Sequence, residues 1–137
     1  MIKWVAGYLG AALAMGVLDA VWLTTMADRL YRPALGAVMR DKPDMGAAIL
    51  FYLIYLGGIL FFAVAPAMRD ASLTRALIGG AVLGLVAYAT YDLTNQATLS
   101  IWQTELTVID LAWGTFLTTV TAGAGFLAAQ WAEGRFG

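Results

Sequence analysis

Asp19, Asp92 and Asp110 each interrupt a run of apolar residues, in Leu18-Asp19-Ala20-Val21-Trp22, Tyr91-Asp92-Leu93-Thr94-Asn95-Gln96 and Val108-Ile109-Asp110-Leu111-Ala112-Trp113. A charge in such surroundings is costly, roughly 2.5 to 3.5 kcal/mol at a bilayer centre even on insertion scales. No Lys or Arg stands at matching depth in these runs. Each acid must therefore be protonated, hydrated or paired with a cation from outside the chain. Carboxyls so placed can carry protons, act as general acid or base, or hold a hard cation such as Mg²⁺ through oxygen. The sequence has neither cysteine nor histidine, which excludes disulfides, thiol nucleophiles, thiolate or imidazole metal sites and axial histidine for haem. No dedicated metal site and no cofactor is expected.

The surrounding residues narrow the candidate site. Asn95 lies one turn beyond Asp92, and Tyr52, Tyr55, Tyr88, Trp22 and Trp113 offer ring faces suited to an organic cation or a lipid headgroup. Each has a plainer reading. Thr107-Val-Ile-Asp110 matches a capping box at a helix start, Asp19 could bond a neighbouring helix or an indole N–H, and Asp92 with Asn95 could form a local end-of-helix network. The aromatic residues suit packing or the membrane interface equally well.

The elements that position these residues are membrane helices. Of the 137 residues, 61% are hydrophobic and 12% charged, with mean hydropathy +0.77, well outside the range of soluble domains. Net charge is −1, with no basic patch, so nucleic acid is excluded as a partner. Membrane lipids are the expected surroundings, with a small cation or amphipathic ligand, a second copy or a membrane protein as further partners. The first apolar run imitates a secretory signal at Met1-Ile2-Lys3 but continues past Trp22, so it reads as a retained membrane helix.

Four helices are expected, at about 4–27, 45–68, 73–95 and 108–131, forming one up-down bundle in a single domain over 1–137. Asp28-Arg29 would end the first, a short interfacial helix would start at Pro33, and Asp44 and Ser72 would cap the second and third. Trp102 would sit at headgroup level. Lys3, Arg69, Arg75 and Arg135 fall on one side and Arg29, Arg32, Arg40 and Lys42 on the other, an even split that assigns no orientation.

Alternating chain direction carries all three acids toward one membrane face, together with Tyr52 and Tyr55. On the third helix Gly80, Gly84, Tyr88 and Asp92 recur every fourth residue, so the face that permits close packing also carries the acid. On the fourth, Thr107, Asp110, Gly114, Thr118 and Thr121 form one stripe. Asp19-x-x-Trp22-x-Thr24 is echoed by Asp110-x-x-Trp113-x-Thr115 on a helix of opposite direction, as in inverted repeats.

The runs Tyr91 to Leu99 and Val108 to Thr115, with Leu18 to Leu23, resemble the bacterial membrane-protein family catalogued as domain of unknown function 2177. The resemblance covers nearly the whole chain. It implies a small multi-pass inner-membrane protein, an association with lipid modification, and no assigned catalytic residue. Three functions stay open: a proton- or cation-coupled transporter, a membrane-embedded lipid-modifying enzyme, and a non-catalytic accessory subunit.

Overall fold

The computed structural model describes residues 1–137 and is all-helical. Its four long helices are α1 Ile2–Leu35, α2 Met45–Arg69, α3 Leu73–Thr98 and α4 Thr104–Phe136, each long and apolar enough to cross a membrane. The shortest has 25 residues, which at 1.5 Å each reach about 37 Å and exceed a hydrocarbon core of about 30 Å. The chain is thus a four-helix membrane bundle.

Local chemistry accounts for most of the boundaries. Asp44 accepts from the Ala47 amide at 3.1 Å and Ser72 from the Arg75 amide at 3.2 Å, so both expected N-caps form. The α2–α3 turn closes with the amide of Ser72 on the Ala67 carbonyl (3.0 Å) and that of Ala71 on Met68 (3.4 Å). This is the pattern that glycine usually completes. Here Ala71 takes the left-handed conformation, at φ 47°.

The helix ends differ most from the expectation at the close of α1 and at both ends of α4, which runs on to Phe136 instead of about 131, while α3 ends at Thr98 instead of about 95. Asp28-Arg29 does not terminate α1, which passes through a π-turn at Ala27–Tyr31 and continues as α-helix over Arg32–Leu35. Arg32 pairs with Asp28 one turn back at 2.8 Å, and Pro33 stands where a missing amide is tolerated. The interfacial segment is therefore a prolongation of α1. At the other end of the chain, α4 begins at Thr104, not Val108, with no side-chain cap. Thr107 is consequently inside the helix and Asp110 nearly two turns in, so the capping-box reading of Asp110 is overturned.

α4 is the central helix, flanked by α1 on one side and α3 on the other. Lipid offers no hydrophobic drive between helices, so association depends on close backbone approach and interhelical hydrogen bonds. Small residues supply that approach. A Cβ added at Gly84 would lie 2.6 Å from the Gly114 carbonyl, and one at Gly80 2.7 Å from that of Thr118. Gly7 and Gly10 of α1 meet Ala124, Gly125, Ala128 and Ala129 of α4 in the same way. Large apolar residues such as Leu9, Leu13, Val17, Ile78 and Val82 face outward, as a lipid-facing surface requires.

α2 is held unevenly. Ile59, Ala63, Val64 and Ala67 are fully buried, within or beside a π-turn at Leu60–Val64 that precedes Pro66. Residues 45–54 are mostly exposed and meet the bundle chiefly through Tyr52 and the Leu53 carbonyl, which accepts from Tyr8 at 3.3 Å. That loose seating leaves a groove on each side of α2.

Two substitutions should move stability in opposite directions. Ala71→Gly removes a left-handed alanine and should stabilise by about 0.5 to 1 kcal/mol after the extra flexibility of glycine is counted. Gly84→Ala forces α3 off α4 and should cost about 1 to 3 kcal/mol. Thermal unfolding in detergent reads both.

Candidate functional site

The three acids are brought into one layer. Asp92 is fully buried, Asp110 is 4% exposed and Asp19 9%. The Gly80-Gly84-Tyr88-Asp92 face of α3 lies against α4, with Gly84 at Gly114 and the Tyr88 ring over Gly114, so the antiparallel register continues to Asp92 beside Asp110. Neither Asp92 oxygen has a donor among the protein groups around it. Neighbouring buried carboxyl groups disfavour joint ionisation, because a pair of carboxylates repels.

Asp110 and Asp19 are each anchored by a tyrosine. The Tyr31 hydroxyl donates to Asp110 Oδ1 and accepts from Trp22 Nε1 at 2.9 Å, while Tyr52 donates to Asp19 Oδ2. The π-turn explains Tyr31. On an unbroken α-helix, residues nine apart stand about 180° from each other at about 100° per residue. A wide turn absorbs roughly one residue, which reduces the offset to about 80° and swings Tyr31 toward the face of Trp22.

The sequence echo has a geometric counterpart. Trp22 and Trp113 stack with ring centroids 4.2 Å apart and planes within 5°. Thr24 and Thr115, two residues after each Trp, donate to carbonyls four residues back at 2.7 Å. Each half thus offers a carboxyl bound by tyrosine, a stacked indole and a back-bonded threonine, on antiparallel helices. The Trp113 indole N–H is buried without a partner.

Other expected residues take different places. Tyr55 donates to Thr118 at 2.7 Å, since the Thr118 hydroxyl is itself given to the Gly114 carbonyl; Tyr55 therefore braces α2 on α4 and binds no acid. The Tyr88 ring lies where a side chain on Gly114 would be and lines one groove together with Asp110. Asn95 is half-buried and does not bond Asp92. Trp102 lies in the turn between α3 and α4 and is buried against the bundle, at 9% exposure. Its indole donates to Thr107 at 2.9 Å, Thr107 donates to Gln96 at 2.6 Å, and Gln96 donates to Thr104 at 2.9 Å. This network closes the bundle one turn beyond the acids.

A groove of about 330 Å³ between α2 and α3 is lined by Phe51, Tyr55, Ala87, Tyr88, Tyr91 and Asp110. A second, about 410 Å³, lies between α1 and α2 and includes Asp19 and Tyr52. Sequence reasoning missed Tyr31, Phe51 and Tyr91. Phe51 was within reach, four residues before Tyr55 on the same face; Tyr31 lay beyond a charged pair that pointed to a helix end. The three acids do not converge as ligands of one metal ion.

The unequal partners of the acids predict unequal substitutions. Asp92→Leu removes unpartnered buried oxygens and should raise the thermal midpoint by the equivalent of about 1 kcal/mol or more. Asp110→Leu strands the Tyr31 hydroxyl and should cost about 1 to 3 kcal/mol. A loss of stability in Asp92→Leu would make Asp92 structural.

None of the curated proteins and none of the solved structures compared matches the chain. A family model described as "Predicted membrane protein (DUF2177)" matches residues 4–127. That match spans most of the 137 residues and agrees with the four membrane-spanning helices, and the chain belongs to this family of predicted membrane proteins.

Proposed function

We propose that this protein binds and passes a proton or small cation through the membrane, with the Asp92–Asp110 pair as the binding site. The observation that carries the reading is Asp92, fully buried and lacking any donor, on the α3 face that the glycine register sets beside Asp110. Structural acids are normally paired, and an unpaired one at membrane depth is retained for what it binds. The resemblance stated above adds the bacterial inner membrane as the setting.

The remaining residues have roles in that reading. Tyr31 holds one oxygen of Asp110, the acid that the register sets beside Asp92. The α4 stripe continues from Asp110 through the buried hydroxyls of Thr118 and Thr121, the latter unpartnered. From Asp110 to Thr121 is about 16 Å of helix, half the thickness of the hydrocarbon core. Asp19 with Tyr52 forms a second carboxyl station across the Trp22–Trp113 stack. A lipid-modifying reaction could use the Tyr31–Asp110 or Tyr52–Asp19 pair as its acid and base, but it has less support because it gives the unpartnered Asp92 no role. The accessory-subunit reading leaves the unpartnered Asp92 without a role.

Liposomes containing the purified protein test this. An imposed pH gradient should dissipate faster than in empty liposomes, or Na⁺ or K⁺ should move down its own gradient. Asp92→Asn should lower the rate about tenfold, as expected for losing an interaction of about 1.4 kcal/mol, and Asp92→Glu should retain part of it. Absence of flux for all three ions in the unsubstituted protein refutes the proposal.

A further inference from the structure

We infer that the groove between α2 and α3 is the binding site of an organic ammonium ion carrying one short apolar tail or ring, entering sideways from the lipid. The inference rests on the Asp92–Asp110 reading above and assigns the class of cation. Three features of the groove define the occupant.

Charge comes first. Asp110 is the carboxyl in the lining, and behind it stands Asp92, fully buried and with both oxygens unpartnered. The four basic residues on the same side of the chain, Arg29, Arg32, Arg40 and Lys42, belong to the end of α1 and the α1–α2 connector, and none lines the groove. The site therefore selects a cation over a neutral or anionic molecule of equal shape.

The walls come second. Phe51 and Tyr55 of α2 face Tyr88 and Tyr91 of α3, so the route to the acid is lined with ring faces. Such faces attract alkylammonium groups, most strongly where water is excluded. A hydrated alkali ion gains little from this lining, whereas an amine with an apolar substituent uses both the acid and the rings.

Size and access come third. About 330 Å³ is at the small end of ligand sites, which run from roughly 300 to 1,000 Å³. That volume matches a single short tail or one ring. Phe51 and Tyr91 are about half exposed on the outer surface, at 49% and 56%, so the mouth opens toward the lipid.

The test uses the full-length protein, monodisperse in mild detergent, and three water-soluble probes of one shape measured by calorimetry: 2-phenylethylammonium, 2-phenylethanol and 3-phenylpropionate. The ammonium should bind saturably, with the alcohol at least about tenfold weaker, as expected for a lost charge interaction of about 1.4 kcal/mol, and no binding of the carboxylate. Asp110→Asn should weaken the ammonium about tenfold or more. Phe51→Ala, at an exposed position where folding is not at stake, should weaken it about two- to fivefold.

Equal binding of alcohol and ammonium, or preference for the carboxylate, overturns the inference, whatever Asp110→Asn does. Proton or alkali-ion flux without ammonium binding overturns this inference alone. Ammonium binding in a protein that passes no protons or alkali ions overturns the preceding proposal and supports this one.

Discussion

The structure depends on how closely α3 and α1 approach α4. Helices in lipid gain nothing from hiding apolar surface from each other, so short backbone distances and a few hydrogen bonds must hold them. Gly80 and Gly84 let α3 touch the carbonyls of Thr118 and Gly114, and Gly7 and Gly10 do the same for α1. The acids follow from that register. Asp92 lies two turns beyond Gly84 and Asp110 one turn before Gly114, so the contact that joins the helices also sets the two acids beside each other.

Two π-turns then shape the site from outside this central pair of interfaces. The one at Ala27–Tyr31 turns a tyrosine from the end of α1 toward Asp110. The one at Leu60–Val64 falls where α2 changes from a loosely seated first half to a fully buried second half. π-turns are rare and concentrate at functional sites. Here one brings a hydroxyl donor to one oxygen of Asp110 and the other adjoins the segment that borders both grooves.

Much of this was legible from residue types alone. Hydropathy delimits four spans, and chain direction alternates at each turn, so the depth of Asp19, Asp92 and Asp110 follows without knowing any contact. The four-residue recurrence of Gly80, Gly84, Tyr88 and Asp92 identifies the inward face of α3, because only small residues permit close approach. The helix ends were less legible. Asp28-Arg29 resembles a terminus, yet an Asp–Arg pair one turn apart is equally at home within a helix. Thr107-x-x-Asp110 has the spacing of a capping box, but Thr107 is engaged by Trp102 and Gln96, and α4 starts before it.

By itself, then, the sequence determined the membrane class, the number of spans, the common depth of the acids and the packing face of α3. These depend on local quantities: hydropathy summed along the chain and the period of a helix. Tertiary structure alone decided which acid acquired a partner, with Asp19 taking Tyr52, Asp110 taking Tyr31 and Asp92 taking no donor. It also decided that Trp22 would stack on Trp113 and that two grooves would flank α2. The physical reason is phase. A single extra residue in one turn rotates all that follows by about 100°, and that rotation, invisible in composition or spacing, selects the side chains that meet.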